Sequence, residues 1–543
     1  MKKIIKVTSL AFVMAMGGLS SCGDFLDIEP TNAIVVENFW EKKSEVESVM
    51  AACYYHMQDA GFAQRVIAWG ELRGDNLTET STLSSKNQEL YDYYINNITA
   101  DNSWTSWADF YKVINLCNTI LHYAPQAQEK DGNYSVEELH THEAEALSIR
   151  ALCYFYLIRT FKKVPLVMQA TIGDDEPFPV AASDADEVLK QITADLEWAE
   201  NYIWDRNFFD EAEERKGRFN KQSVKALLAD VYLWKGEYER CAGLCQEIMD
   251  EKMADYRTMQ EEINNGNYLT ATLEGMLTLY NGYPLLDNSY MDHYANTMIF
   301  YTKNSFESIF ELQYISNYRG NNEGIKFFYG DHSDDASGLV NSASYLIQQT
   351  PEALFADAND QRLLEGTGYD GVTSISYPIH KYRWVIQNGS EYMRGNPENW
   401  IVYRLTDVML MKAEALAYMG GEENCQEAFD IVMAVNARAC NGRSSLVYDA
   451  EKIKTTVLDE RQRELLFEGK RWYDLMRMVL HSDNPTNTMS TLRSYVQRRY
   501  QSGGKDAVAR MGSVDNLYLP FNQGEMDVNP LLEPDQNQAY VNY

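Results

Sequence analysis

Asp131, Asn133 and Ser135 occupy alternate positions, like the first oxygen ligands of a calcium-binding loop. Carboxylate, amide and hydroxyl oxygens are ligands that Ca²⁺ accepts readily. However, Val136 stands where such a loop needs glycine for its sharp turn, and His142 stands where it needs a bidentate glutamate. We therefore expect no cofactor, and we keep a structural calcium ion as the less favoured alternative.

Other residue patterns in the chain offer little support for catalysis. His140 and His142 lack a third ligand at a helical spacing, so a solvated pair is favoured over a zinc site. The sequence has no Gly-x-Ser-x-Gly, no His-Glu-x-x-His, and no phosphate-binding or dinucleotide-binding glycine motif. Its 80 acidic residues make some carboxylate pair inevitable at any spacing, which weakens the case for glycoside hydrolysis. We expect a protein that is not an enzyme, with a glycoside hydrolase as the alternative.

Cys22 is the residue with the best-defined covalent chemistry. Three lysines within the first six residues precede an apolar run at 7–19, and Leu-Ser-Ser-Cys closes that run at Cys22. This order is typical of a secretory signal, and the run is too short to span a bilayer. The closing motif resembles the bacterial lipobox, in which the cysteine thiol receives a diacylglycerol and becomes the new N-terminus. We therefore predict a lipoprotein signal peptide at 1–21 and an extracytoplasmic protein that is anchored to lipid at Cys22.

The overall charge limits the partners that the chain can have. The net charge is −32 at pH 7, from 48 basic and 80 acidic residues. Such a field repels phosphate backbones, so nucleic acid is excluded as a partner. The seven cysteines other than Cys22 have no regular spacing, so we expect buried thiols rather than a disulfide framework.

Aromatic and polar side chains concentrate in two regions, 72–107 and 283–329. Tyrosine and tryptophan can pack on the apolar C–H face of a sugar ring, while Asn, Asp and Arg can hydrogen bond to its hydroxyl groups. We therefore predict that the two regions form a ligand surface. The candidate ligand-binding residues are Arg73, Asp75, Asn76, Trp104, Tyr283, Tyr290, Tyr294 and Tyr329. An adhesion protein that uses the tripeptide Arg73-Gly74-Asp75 is an alternative.

Helical periodicity dominates most of the chain and predicts a mainly α fold. The segments 221–250 and 406–438 carry Ala and Gly at offsets typical of tetratricopeptide units, the first with Tyr as well. In such units small residues let two helices approach, and glycine makes the turn between them. We predict an α-solenoid-type scaffold with tetratricopeptide-like helix pairs, and a longer inter-helix loop in the second pair. The strongest predicted helices are 41–58, 104–123, 143–161, 185–202, 221–235, 238–250, 402–418, 425–439 and 451–480.

The pattern changes between residues 256 and 400, where Gly, Asn, Ser and Tyr become dense and helical runs become short. Long irregular segments on a rigid scaffold commonly carry binding sites, so 256–400 is predicted as a loop-rich ligand-binding insertion. The other predicted regions are a lipidated flexible leader at 22–40, an N-terminal helical region at 41–255, and a C-terminal helical region and tail at 401–543.

Several sequence blocks resemble the SusD/RagB family, and they run in order along almost the whole chain after the signal peptide. The most specific block is Glu-Arg-Gln-Arg-Glu-Leu-Leu-Phe-Glu-Gly-Lys-Arg-Trp-Tyr-Asp-Leu-Met-Arg at 460–477. Its charges allow i,i+3 pairs, so we expect a buried ion-paired helix rather than a catalytic site. The pairs are Glu460/Arg463, Glu468/Arg471 and Asp474/Arg477; the other blocks begin at Cys22, Leu72, Arg150, Val164, Lys216, Glu307, Tyr403 and Leu519.

The resemblance implies a surface lipoprotein that binds oligosaccharide and passes it to a SusC-like TonB-dependent β-barrel transporter, over which it acts as a lid. A peptide ligand is the alternative within the same family. The family's helical repeats face the transporter, and its ligand site is built by the loops after the Arg-Gly-Asp-Asn block and by the inserted half. The resemblance therefore places the protein in the outer membrane, facing the extracellular medium.

Overall fold

The protein is described by a computed structural model that covers the chain with several gaps. Cys22, the signal peptide and Tyr290 lie outside the described residues. Within the described part, no helix is both long enough and apolar enough to cross a membrane. The described residues are 39–171, 179–267, 276–288, 294–315, 321–330, 338–348, 353–367, 377–382, 398–500 and 504–541.

The first half of the chain is mostly helical. Its helices are α1 Lys43–Gln58, α2 Ala60–Ile67, α3 Leu83–Lys86, α4 Gln88–Tyr94, α5 Ala108–Lys130, α6 Val136–Phe161, α7 Ala185–Tyr202, α8 Ala212–Gly217, α9 Lys221–Lys235 and α10 Tyr238–Asn264. A π-helical turn, Ala68–Leu72, continues α2, and a 3₁₀ turn, Ser103–Thr105, precedes α5. The strands here are β1 Leu77–Glu79, β2 Val164–Pro165 and β3 Ala182–Ser183.

The second half alternates short strands with helices before it becomes helical again. Its strands are β4 Leu277–Tyr280, β5 Tyr283–Leu286, β6 Ser308–Leu312, β7 Val340–Ser342 and β8 Trp400–Arg404. Its helices are α11 Tyr294–Asn296, α12 Glu323–Tyr329, α13 Arg362–Thr367, α14 Leu405–Met419, α15 Glu422–Ala439, α16 Ile453–Glu464, α17 Arg471–Leu480, α18 Pro485–Gln497, α19 Gly504–Ala509 and α20 Gln523–Val528. A π-helical turn, Thr297–Thr302, continues α11, and 3₁₀ turns lie at Ser344–Ile347, Ala450–Lys452, Val514–Leu517, Pro530–Asp535 and Gln538–Tyr540.

The predicted mainly α fold with tetratricopeptide-like helix pairs is confirmed. Helices α9 and α10 form one pair, α14 and α15 form the other, and α10 packs against α14 between them. The prediction of a longer second loop is wrong, because α15 begins at Glu422, directly after Gly420 and Gly421. Gly236, Gly420 and Gly421 have φ angles of 75°, 71° and 85°, so each pair turns through a left-handed backbone that favours glycine.

The insertion is tied to the helical parts by strands. Strand β1 pairs antiparallel with β7, and β6 pairs antiparallel with β8. The pairing of β8 explains why the helix predicted from residue 402 begins instead at Leu405. Helix α10 continues to Asn264, so residue 256 lies within a helix.

The predicted helix at 451–480 is two helices with a break between Leu465 and Lys470. Phe467 and Gly469 have positive φ angles of 66° and 71°, which end the helical path. The break brings the backbone of Gly469 against Gly70, where an added Cβ would meet the Gly469 carbonyl oxygen at 1.9 Å. Tertiary packing therefore overrides the helical periodicity of this segment.

Candidate functional site

The first of the two regions predicted to bind ligand, 72–107, pairs with a strand that lies shortly after the second region, 283–329. Leu77 of β1 pairs with Ser342 of β7, and the backbone amide of Ala343 donates to the carbonyl of Asn76 at 2.8 Å. The hydroxyl of Thr80 donates to the carbonyl of Leu339 at 3.0 Å. We call the surface where residues 77–105 meet residues 323–330 and 338–345 the seam.

An aromatic cluster lies under the seam. Trp104 packs on Phe327 and Phe328, with ring centroids 5.8 Å apart in both contacts. Trp104 is buried, whereas Phe327 is half-buried and presents part of its ring to solvent. The seam therefore places an accessible ring over a rigid aromatic base.

Polar groups lie near these rings on the first of the two regions. Ser103 and Glu89 are exposed and hydrogen bonded to each other. Tyr91 is half-buried, and the carboxylate of Glu79 contributes to raising the pKa of its hydroxyl, after burial itself. An accessible ring with hydroxyl and carboxylate groups nearby is the arrangement that a sugar needs.

Arg73, Asp75 and Asn76 have structural roles in the interior. Arg73 is 1% exposed and donates to the carbonyl of Leu517 at 2.9 Å. Asp75 is fully buried against Arg471, and Asn76 is fully buried beside Glu71. No ligand can reach these side chains without displacing the surrounding chain, and the buried tripeptide removes the basis for an adhesion protein that uses it.

The remaining candidates are divided among different places. Tyr329 is fully buried and donates to the carbonyl of Phe467 at 3.0 Å, and Trp104 is buried under the seam. Tyr283 is half-buried on β5, which packs against α15, and Tyr294 is half-buried at the start of α11. The structure therefore does not gather the seven described candidates into one pocket, and ligand contact by Tyr283 and Tyr294 stays a prediction.

The charged residues at 460–477 form a buried ionic cluster, as predicted. Glu464 accepts from Arg362, Arg404 and Arg438 at 3.0, 2.6 and 2.5 Å. Burial alone would raise the pKa of Glu464, but these guanidinium groups hold it well below its ordinary value. Each of these charges is paired inside the protein, so the cluster is structural rather than reactive. Through Arg362 it links the insertion to α16.

Two of the three predicted i,i+3 pairs form. Glu460 pairs with Arg463 at 2.8 Å, and Asp474 pairs with Arg477 at 2.6 Å. The predicted pair of Glu468 with Arg471 is wrong, because the helix breaks between them. Glu468 instead binds Lys381 and Arg404, and Arg471 binds Asp75.

A small cavity adjoins this ionic cluster. Its volume is about 30 Å³, which is room for a water molecule or two but not for a sugar ring. Asn296, Phe300, Lys381 and Glu464 are among the residues around it. The cavity is therefore part of the packed ionic core.

The segment proposed as a calcium loop is a turn between α5 and α6. Asp131 accepts from the backbone amide of Lys43 at 3.1 Å, and Ser135 caps α6 by accepting from the amide of Glu138 at 3.2 Å. His142 is buried and hydrogen bonded to the hydroxyl of Tyr134 at 2.8 Å. Among the described residues, no group of three or more His, Cys, Asp or Glu side chains is arranged to hold a metal ion.

Sequence reasoning missed Phe327 and the two residues that connect the buried blocks, Gln462 and Tyr345. The amide of Gln462 donates to Asn76 at 2.8 Å and to the hydroxyl of Tyr345 at 2.6 Å. Tyr345 in turn donates to Asp75 at 3.0 Å. The only signal for Phe327 was its place in an aromatic run at 327–329.

Comparison with known proteins agrees with this architecture. A family model described as the SusD family matches residues 200–540, and a model described as "Starch-binding associating with outer membrane" matches residues 24–233. SusD-like protein P38 of Formosa agariphila is 25% identical over 499 residues, which are 88% of this chain and 91% of that protein. A SusD-like protein of Bacteroides ovatus is 22% identical over 494 residues, which are 87% of this chain and 81% of that protein.

Solved structures share the fold. A SusD superfamily protein from Bacteroides vulgatus aligns with a TM-score of 0.67 and 19% identity, over 92% of this chain and 100% of that one. A laminarin-binding SusD-like protein aligns with a TM-score of 0.65 and 23% identity, over the same shares of the two chains. NanU of B. fragilis aligns with a TM-score of 0.65 and 21% identity, over 95% of this chain and 100% of that one.

Proposed function

The chain belongs to the SusD family, and on that premise we propose that it is a cell-surface lipoprotein that binds oligosaccharide and delivers it to a partner TonB-dependent outer-membrane transporter. In this proposal the protein acts as the lid of the transporter and carries no catalytic activity. The observation that carries the proposal is the seam, where an accessible ring and polar side chains from two distant segments form one surface.

Further observations support a neutral glycan as the ligand and binding rather than hydrolysis as the activity. The family model that matches the N-terminal part is described as starch-binding, and one protein of the same fold is described as binding laminarin. The strong negative charge of the chain favours neutral glycans over polyanions. The buried ionic cluster leaves its carboxylates paired with cations, which favours a binding protein over a glycoside hydrolase.

The lipid anchor and the transporter partner are inferred from the sequence and from membership of the family. The motif that ends at Cys22 supports lipidation, and the description "associating with outer membrane" supports the location. A SusC-like transporter gene next to the gene of this protein would support the partnership.

Isothermal titration of the purified protein against plant, host and microbial oligosaccharides tests the ligand class. We expect micromolar to millimolar binding of at least one neutral glycan, with no product formed on prolonged incubation. Binding of oligopeptides but of no glycan would favour the peptide-binding alternative. Steady turnover that one carboxylate-to-amide change abolishes would instead identify a glycoside hydrolase.

The seam is tested by Phe327→Ala. Loss of a ring that packs on a sugar should weaken binding by about tenfold, equivalent to about 1.4 kcal/mol. Phe208→Ala is the matched control, because Phe208 is 56% exposed and stacks on Trp204 in the connection between α7 and α8. Equal affinities for the two variants would move the glycan site away from the seam.

A further inference from the structure

A second surface with the dimensions of a ligand site lies on the helical part of the chain. It is a groove of about 370 Å³ between α5 and α7, which both pack against α6. This volume falls in the range of about 300–1,000 Å³ that is typical of small-molecule sites. The side chains that line it include Leu121, Glu143, Leu147, Gln191, Asp195 and Trp198.

The groove is separate from the seam. Helix α5 begins at Ala108, shortly after Trp104 of the seam, and Leu121 lies about 20 Å further along the helix at 1.5 Å per residue. A ligand that occupies the groove therefore does not depend on Phe327.

One wall of the groove is an aromatic ring that is held in place. Trp198 packs on Tyr202 with ring centroids 4.5 Å apart and planes inclined by 32°, and the ring of His140 meets it edge-on at 5.9 Å. Tyr202 is 44% exposed, so these rings lie at the protein surface. A rigid indole at the edge of a groove loses little conformational entropy when a sugar ring packs on it.

The floor of the groove presents fixed hydrogen-bonding groups. Asp195 accepts from Nε and Nη2 of Arg150, both at 2.9 Å, and from the side-chain amide of Gln191 at 2.7 Å. Asp195 and Arg150 are each 4% exposed, so neither moves freely. The bidentate pair also neutralises the charge of Asp195, which leaves its surroundings polar rather than strongly anionic.

Glu143 is the charged group in the groove that the protein leaves unengaged. Its side chain is half-buried, and among the described residues it receives no hydrogen bond and forms no ion pair. Burial raises the pKa of this carboxyl, and nearby His140 opposes the rise. A half-buried acceptor without a donor is stabilised by a ligand that supplies hydroxyl groups.

We propose that this groove is a second saccharide-binding site, which takes a neutral glycosyl unit with its C–H face on Trp198 and its hydroxyl groups on Glu143 and Gln191. An anionic sugar is excluded because Glu143 would repel it. A cationic ligand would meet only one uncompensated carboxylate, Glu143, because Arg150 already compensates Asp195. Two separate sites on one chain would hold a long glycan more tightly than a short one, because the second contact is intramolecular.

Hydrogen exchange on the full-length protein in mild detergent locates the ligand. The probes are maltohexaose, laminarihexaose and cellohexaose at millimolar concentration, with pentalysine as the cationic probe. We expect at least one hexasaccharide to slow exchange in peptides from α6 and α7 that contain Glu143 and Trp198. Protection by pentalysine alone, or protection confined to the seam, would overturn the inference.

Variants then test the proposed contacts. Trp198→Ala should raise about tenfold the ligand concentration that gives half-maximal protection of the groove. Trp198→Phe, which keeps a ring, should need a concentration close to that of the wild type. Tyr55→Ala is the control, because Tyr55 is a 62% exposed ring on α1. Unchanged groove protection in Trp198→Ala, with unchanged circular dichroism, would contradict the assignment.

The two proposals fail in different ways. Seam protection without groove protection overturns this second site and leaves the proposed function intact. Groove protection without seam protection supports the second site and contradicts the seam as the primary site. Protection of neither surface by any neutral glycan overturns both.

Discussion

Asp75 and Arg471 form a buried ion pair, although 396 positions separate them in the sequence. Nε of Arg471 donates to Oδ1 of Asp75 at 2.7 Å, and Nη2 donates to Oδ2 at 3.1 Å. Burial would raise the pKa of Asp75, but Arg471 holds it below the ordinary value. The pair joins the Arg-Gly-Asp-Asn block to the charged block at 460–477, so these two sequence signatures are partners in one structural core.

Asp75→Asn tests the importance of this pair. Removing the carboxylate leaves the Arg471 guanidinium buried without its counter-charge, which should lower the free energy of unfolding by about 3–5 kcal/mol. Urea unfolding followed by circular dichroism measures the change. Asp515→Asn is the matched control, because Asp515 is 53% exposed in its pair with Lys162. This substitution should lower the free energy of unfolding by at most about 1 kcal/mol. Equal losses in the two variants would contradict the structural role of Asp75.

Glu71 should make stability depend on pH. Burial raises the pKa of Glu71 to about 7, although the amide of Asn76 donates to it at 2.5 Å and opposes the rise. Below about pH 4.5 the carboxyl is protonated in both the folded and the unfolded chain. Between about pH 4.5 and 7 the unfolded chain ionises first, so the folded protein binds more protons and its stability falls as pH rises.

The comparison of wild type with Glu71→Gln isolates this effect. We expect the stability of the wild type relative to the variant to fall by about 3 kcal/mol between pH 4.5 and pH 8, and then to level off. Exposed Glu129→Gln serves as the control and should show no such trend. A pH-independent difference between wild type and Glu71→Gln would show that Glu71 ionises normally in the fold.

Gly70→Ala should prevent normal folding. The added Cβ would lie 1.9 Å from the carbonyl oxygen of Gly469, a backbone atom that cannot move without disturbing the break between α16 and α17. Gly243→Ala in α10 has open space around the new Cβ and should stabilise the helix by up to about 1 kcal/mol. Soluble yield and thermal unfolding compare the two, and a Gly70→Ala protein as stable as wild type would disprove the close approach.

Cys22→Ala should abolish lipidation and retention on the cell surface. Incorporation of labelled palmitate and fractionation of membranes measure the two losses. The affinity of the folded protein for its glycan should not change, because the anchor precedes the described fold. A fall in affinity would mean that the anchored segment also contributes to ligand binding.

The sequence alone determined the elements whose stability is local. Helix α7 at 185–202 and helix α9 at 221–235 have the bounds that periodicity predicted, because an amphipathic repeat and its turn residues lie within one short stretch. Gly236 marks the turn of the first helix pair for the same reason. The family resemblance also came from the sequence, since its blocks run in order along the chain.

Only the tertiary structure decided which polar and aromatic residues face inward. Asp75 and Asn76 looked like ligand contacts because their types suit sugar recognition, but their partners Arg471 and Gln462 lie hundreds of residues away. Residue type shows what a side chain can bind, whereas burial is set by long-range packing. The same packing placed the accessible ring at Phe327, broke the helix at Gly469, and opened the groove beside Trp198.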